Sequence, residues 1–333
     1  MLHDYHLYLV ARFVRQQLPG ALIQHFTHIP WAASTYWELI PARMRYAICE
    51  SLCSADIVGF QSMRDVRSFL ESVRTFLPDV EIDHSNLQVS HANRITQVRA
   101  YPISIDVDEV RRIAVSRKAR EYESRLEGLL CEKNIIRVDR AEPSKNIVRG
   151  FHAFEMLLRR YPKLRGKTKF LAFLVPSRTD VRQYQHYKEE IENQIQSINN
   201  RYGTEKWEPI SVFFENNYVQ AIAAMHFYDV LLVNAVVDGM NLVAKEGPIV
   251  NRKNGVLILS EAAGAHEQLH DGAISIAPAD LEGTTQAMYQ ALTMSSAERA
   301  QRAAKLVRVI ENEDITHWLH QQLTDLHALT GKN

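Results

Sequence analysis

From residue 131 onward, short runs of β-branched and aliphatic residues alternate with longer amphipathic stretches. Strands are predicted over 134–138, 169–174, 210–214, 230–234 and 256–259. Between and after them, helices are predicted over 144–161, 181–202, 219–227, 241–251, 280–294, 296–311 and 316–329. A strand–helix alternation of this kind folds as an α/β domain around a parallel sheet. This half carries enough alternations for a complete doubly wound sheet. The first third is sparser: helices over 7–17, 43–54 and 63–76, strands over 21–26 and 57–60, and a β-rich stretch over 96–105 broken by Pro102. A long charged helix over 107–130 follows. Three strands are too few for a second full sheet, and His3-Asp4 reads as the loop at the carboxyl end of a strand with only Met1 and Leu2 before it. The expectation is an N-terminally truncated domain, the alternative being a small three-stranded cap. The expected division is 1–130, 131–312 and a last segment over 313–333. A chain of 333 residues fits this, because single cores stop growing near ~250–300 residues.

Composition narrows the classes of function. Lys and Arg number 39 against 39 for Asp and Glu, and neither sign forms a stripe, which argues against nucleic acid as a partner. The densest apolar run, 230–237, is far below the ~18–20 residues of a spanning helix. The N-terminus lacks a cationic start and carries Asp4 early, so no secretory signal is expected and the cytoplasm is the default compartment. Cys49 and Cys53 share a helix face and Cys131 lies apart, a pattern of small apolar groups rather than redox or metal chemistry. His3 with His6 and His25 with His28 have H-x-x-H spacing, but neither pair sits in H-E-x-x-H. No metal and no cofactor is expected.

In doubly wound domains ligands bind at the carboxyl ends of strands, beside helix N-termini. Four segments there carry polar residues. In V-D-R-A-E-P-S-K-N (138–146), Pro143 ends a strand and Ser144 can cap a helix, placing Arg140 and Lys145 to clamp an anion. V-D-G-M-N-L-V-A-K-E (237–246) follows a very apolar strand, and Gly239 permits a tight turn. The main-chain N–H groups of Gly239, Met240 and Asn241 would then face a diphosphate or sugar hydroxyls. Glu246, about two turns on, could accept two ribose hydroxyls. V-P-S-R-T-D (175–180) brings Arg178 to the same rim, where phosphate binding and simple helix capping are equally open readings. H-D-Y-H-L (3–7) and H-F-T-H-I-P-W (25–31) put Asp4 and His28 at the ends of neighbouring strands, as acceptor and donor for hydroxyls. Missing are G-x-G-x-x-G, G-x-x-x-x-G-K-[ST] and G-x-S-x-G, the loops of dinucleotide oxidoreductases, P-loop enzymes and α/β-hydrolases.

These segments, with A-D-I-V-G-F (55–60), Y-P-I-S-I-D (101–106) and L-S-E-A-A-G-A (259–265), occur in one order. The ordered set resembles the trehalose-6-phosphate synthase family, family 20 of the retaining glycosyltransferases, over essentially the whole chain. The resemblance implies a GT-B architecture: two Rossmann-like domains facing across a cleft, the first incomplete here, with the last helix crossing back. It implies transfer of glucose from UDP-glucose, or another nucleotide-glucose such as GDP-glucose, to glucose 6-phosphate, with retention and without metal. Arg140 and Lys145 would hold the donor diphosphate, Asp238 and the turn amides the transferred sugar. Leu242 and Val243 would lie near the nucleotide, and Glu246 at the ribose. His28 would contact a donor hydroxyl, Asp4 would lie near the acceptor and Arg178 at the acceptor phosphate. Partners are then small-molecule substrates, with homo-oligomerisation left open.

The chemistry agrees with those roles. Breaking the sugar–phosphate bond builds negative charge on the diphosphate, and fixed cations with helix amides aimed there lower the barrier. One departure stands out. After V-D-R the family usually reads L-D-Y-I-K-G, whereas this chain reads A-E-P-S-K-N. A similar turn occurs in relatives that couple other acceptors, including pseudo-glycosyltransferases that join cyclitols. Lys145 keeps its spacing, so donor binding is better preserved than acceptor identity. A binding protein that has lost catalysis is the non-enzymic alternative.

Overall fold

The apolar runs of the chain form two six-stranded sheets, each in its own unit. The computed structural model describes residues 1–330. One unit comprises Met1–Ile103 and the chain from Ile315, the other Ser104–Asp314.

In chain order the first unit contains β1 (Leu2–His3), α1 (Val10–Gln17), β2 (Gln24–Phe26), α2 (Ser34–Trp37), α3 (Ala42–Leu52), β3 (Ile57–Phe60), α4 (Met63–Phe76), β4 (Glu81–Asp83), β5 (Gln88–His91) and β6 (Arg94–Ala100). The sheet order is β1-β2-β3-β6-β5-β4. The first four strands run parallel, while β4, β5 and β6 form an antiparallel meander. Six strands replace the three expected. The additions are short and mostly polar, and a two-residue strand such as β1 has no periodicity to read. α4 shows why the longer elements were legible. Ser62 Oγ accepts from the Asp65 N–H and caps it, and Val66, Phe69, Leu70 and Val73 form one buried face at helical spacing. Cys49 and Cys53 are buried in this core, and burial pushes the Cys49 thiol up to about 12.

The second unit contains α5 (Val107–Ala114), α6 (Arg117–Glu127), β7 (Lys133–Arg140), α7 (Ile147–Arg160), β8 (Thr168–Val175), α8 (Arg182–Tyr202), β9 (Ile210–Phe214), α9 (Tyr218–Met225), β10 (Val230–Val233), α10 (Val243–Val250), β11 (Val256–Ser260), α11 (His266–Leu269), β12 (Ile274–Ile276), α12 (Leu281–Thr293) and α13 (Ser296–Asn312). All neighbours in its sheet are parallel, in the order β12-β11-β10-β7-β8-β9. That is the Rossmann order, with β7 and β10 flanking the switch point. β10 reads V-L-L-V because both faces are buried under helices.

Two expectations are corrected here. The single helix over 107–130 is two helices, because Ser116 Oγ accepts from the Ala119 N–H and starts a new helix as its N-cap. Both helices group with the second unit, α5 packing on α9 and α10 and α6 on α9, so the division falls after Ile103 rather than near 130. The last helix, α14 (Ile315–Thr330), belongs to the first unit. Its Trp318, Leu326 and Leu329 pack on Phe26, Ile57 and Tyr101. Trp318 Nε1 donates to the Tyr101 carbonyl at 3.0 Å, and Gln24 Nε2 donates to buried Gln322 Oε1 at 2.9 Å.

Candidate functional site

In the second unit the site grows from the switch point. β7 ends at Arg140, and a 3₁₀ turn over Pro143–Lys145 leads into Asn146, whose backbone is left-handed at φ 58°. Asn146 Nδ2 donates to the carbonyls of Asn234 (3.0 Å) and Pro278 (2.8 Å), and Asn234 Nδ2 returns a bond to the Asn146 carbonyl at 3.1 Å. The Val236 N–H donates to the Ser144 carbonyl at 2.8 Å. The loop after β7 is thereby stitched to the loop after β10.

Lys145, buried to 8% exposure, reaches across this seam, and its Nζ lies 2.5 Å from Asp238 Oδ2. Asn241 Nδ2 donates to the same oxygen at 2.9 Å. Asn241, not Gly239, takes the left-handed backbone of this turn, at φ 74°. Gly264 explains the close fit behind it: a Cβ there would stand 1.8 Å from the Gly239 carbonyl oxygen. The main-chain N–H groups of Gly239, Met240 and Asn241 donate to no other described residue. Unengaged amides beside a buried lysine are an arrangement that can cradle an anion.

Arg140, Lys145, Asn241, Leu242, Val243 and Glu246 line one cleft of about 260 Å³. Six residues drawn from two distant stretches of sequence thus meet at one strand-end crevice. Met240 is buried beneath it. Arg140 remains largely exposed, 3.0 Å from Glu142 Oε1. Glu142 also accepts from Ser177 Oγ at 2.7 Å. Arg178 does not line this cleft; it sits on the loop after β8, left-handed at φ 45°, donating to Tyr184 Oη at 3.1 Å.

Three residues that the sequence reading passed over matter here. Arg137, inside β7 and fully buried, directs Nε and Nη2 at Asp139 Oδ2 (3.1 and 2.7 Å) and Nη2 at the Lys145 carbonyl (2.9 Å). Asp139 is buried too, and desolvation raises its pKa despite Arg137 and Lys145 beside it. Tyr218 lines the cleft and donates to Glu246 Oε1 at 2.9 Å. An Arg within an apolar strand was the one available signal for the first; Tyr218 offered none beyond its place after a strand.

In the first unit, Asp4 follows β1 and adopts φ 67°, ψ 174°, a region that is costly for any residue but glycine (about 1–3 kcal/mol). Its amide donates to the Phe26 carbonyl at 2.7 Å and its Oδ1 accepts from the His28 N–H at 3.1 Å. His3 Nδ1 lies 3.2 Å from His28 Nε2. Burial lowers the His28 pKa, and His3 adds to this while Asp4 opposes it. Asp4 and His28 therefore do stand together. Among the described residues no three His, Cys, Asp or Glu side chains converge to hold a metal ion, and no helix is long and apolar enough to cross a membrane.

His25, beneath this pair, is fully buried, and burial pushes its imidazole down to about 4 from the ordinary value near 6.5. The unfolded chain takes up this proton as pH falls through 6.5, whereas the folded chain resists until about 4. Stability is therefore lost between those values as pH falls, by about 3 kcal/mol in all. Urea unfolding at pH 7 and pH 4.5 measures the loss. His25→Gln removes the titration and flattens the dependence; an unchanged slope contradicts the assignment.

Comparisons with known proteins bear on the family and the fold. The model of glycosyltransferase family 20 matches residues 1–328. A trehalose-6-phosphate synthase of Sodalis glossinidius is 33% identical over 339 residues, covering 99% of this chain and 70% of that protein. The alpha,alpha-trehalose-phosphate synthase (UDP-forming) of Pichia angusta is 34% identical over 327 residues, 95% of this chain and 67% of its own length. Among solved structures, one from E. coli bound with UDP-2-fluoro glucose aligns with a TM-score of 0.89 at 32% identity, over 97% of this chain and 72% of that one. The Burkholderia xenovorans alpha,alpha-trehalose-phosphate synthase (UDP-forming) in complex with glucose-6-phosphate gives 0.90 at 32% identity, over 98% and 72%. With a family match along nearly its entire length and two α/β units of the matching fold, the chain belongs to glycosyltransferase family 20.

Proposed function

We propose that this chain moves glucose from a nucleotide-glucose, UDP-glucose in the first instance, to glucose 6-phosphate, giving trehalose 6-phosphate with retention. The carrying observation is the anion cradle: buried Lys145 against Asp238, Arg140 on the same cleft, and three unengaged turn amides. The relatives named above support the choice of substrates.

In this scheme the bond between the sugar's anomeric carbon and the diphosphate oxygen breaks. Lys145, Arg140 and the amides of Gly239, Met240 and Asn241 stabilise the charge left on that oxygen. The acceptor hydroxyl attacks the same face and its proton passes to the leaving phosphate. No metal is used, because these fixed positive groups do the neutralising. Asp238 and Asn241 meet the sugar, Leu242 and Val243 flank the nucleotide, and Glu246 accepts from the ribose. In the first unit Asp4 and His28 offer a carboxylate and an imidazole to sugar hydroxyls. Arg178 serves the acceptor phosphate from its own loop.

A second reading keeps the donor and changes the acceptor to another phosphorylated polyol or cyclitol. The Glu142–Ser177 bond favours it, since this contact ties the atypical A-E-P-S-K-N turn to the loop that carries Arg178. The deciding assay measures nucleotide release from UDP-glucose and GDP-glucose with glucose 6-phosphate or a cyclitol phosphate added, with the product's anomeric configuration read by NMR. Release with glucose 6-phosphate and an α,α product is the expected result. Release only with another acceptor supports the second reading, and nucleotide binding without release supports a non-catalytic protein.

A further inference from the structure

Glu246 enters the cleft under unusual conditions. It is 8% exposed, and burial raises its pKa. The bond from Tyr218 Oη, at 2.9 Å, is what opposes that shift. Tyr218 itself is 44% exposed and stands at the first turn of α9, so its hydroxyl reaches a buried carboxylate from the rim of the cleft.

Among the described residues no other charge relieves Glu246. Lys245, its neighbour on α10, sends its Nζ to Gln268 Oε1 at 2.8 Å. Arg111 of α5 pairs with Glu311 of α13. Glu109 of α5 bears on Tyr218 and carries the wrong sign to help. Arg140 and Lys145, on the same cleft, are matched with Glu142 and Asp238.

A carboxylate offers about four acceptor positions, and Tyr218 uses one of them. Oε2 and the rest stay open for the two hydroxyls of a ribose. Resting on the function proposed above, we propose that the Tyr218 hydroxyl is a positioning group that keeps Glu246 ionised and aimed at the ribose of the nucleotide. It acts through Glu246 rather than on the reacting atoms. Its removal therefore weakens nucleotide binding most where the carboxylate is nearest to protonation, at acid pH, and the loss falls on KM rather than kcat.

The test is titration calorimetry with UDP and GDP on the full chain, comparing Tyr218→Phe with the unaltered protein at pH 6 and pH 8.5. The expected result is a Kd roughly tenfold higher at pH 6 and less than about threefold higher at pH 8.5. In a Glu246→Gln background, where nothing titrates, Tyr218→Phe should add almost nothing. A Kd that rises equally at both pH values, or by the full factor in the Glu246→Gln background, overturns the inference by placing the hydroxyl's effect elsewhere. So does a Kd unchanged at pH 6. Failure of the unaltered chain to bind either nucleotide overturns the proposed function and this inference with it, and the two failures are thereby told apart.

Discussion

Replacing Lys145 by alanine lowers turnover by a factor on the order of 10²–10³ at saturating donor, the loss seen when a single preorganised electrostatic donor is removed. The geometry argues for the upper part of that range. Lys145 is buried, and a charge in a water-poor setting acts on a developing anion more strongly than one in solvent. Arg140 is more than half exposed at its side chain, so it is the weaker substitute. The substitution also strands Asp238, whose Oδ2 then keeps only Asn241, and a carboxylate left without its cation repels the diphosphate. Donor affinity should fall along with kcat. Steady-state kinetics with a saturating series of nucleotide-glucose separates the two, and a urea midpoint measured in parallel shows whether folding is intact. Wild-type turnover in a folded Lys145→Ala protein would refute the assignment of Lys145 to the leaving group.

The second large effect lies one layer deeper. Arg137→Met should cost about 3–5 kcal/mol of stability, the range for breaking a buried ion pair by removing one partner. Asp139 would remain, fully enclosed and with no cation at its Oδ2. The fold makes room for this guanidinium at Gly150, where a Cβ would stand 2.6 Å from Arg137 Nη1. Removing both charges, as Arg137→Met with Asp139→Leu, should recover most of that loss, because a buried pair is itself costly to desolvate. Turnover should not recover with it. The Arg137 bond to the Lys145 carbonyl would still be gone, and that bond holds the loop from which Lys145 projects. Urea unfolding and kcat for the single and double variants check both statements; a double variant with normal kcat would confine Arg137 to folding alone.

Family 20 membership was legible early because its motifs sit where physics makes sequence talk: at strand ends, where glycine, proline and charged residues interrupt apolar runs. Strands β3 and β9 and helix α4 emerged with the bounds predicted. Less legible were elements without a period. β1, β4 and β5 are short and partly polar, and the break at Ser116 depends on one hydroxyl capping a new helix inside a continuous amphipathic pattern.

By itself the sequence determined the α/β class and the parallel second sheet, because alternation and apolar content are local properties that burial on a sheet demands. Only the tertiary structure decided which side chains work together. Lys145 finds Asp238 across 93 positions, Tyr218 finds Glu246 across 28, and Arg137 turns inward from a strand to hold a loop. Such pairings follow from the register of neighbouring strands and from which charges cannot be buried alone, and neither is written in the spacing of residues along one chain.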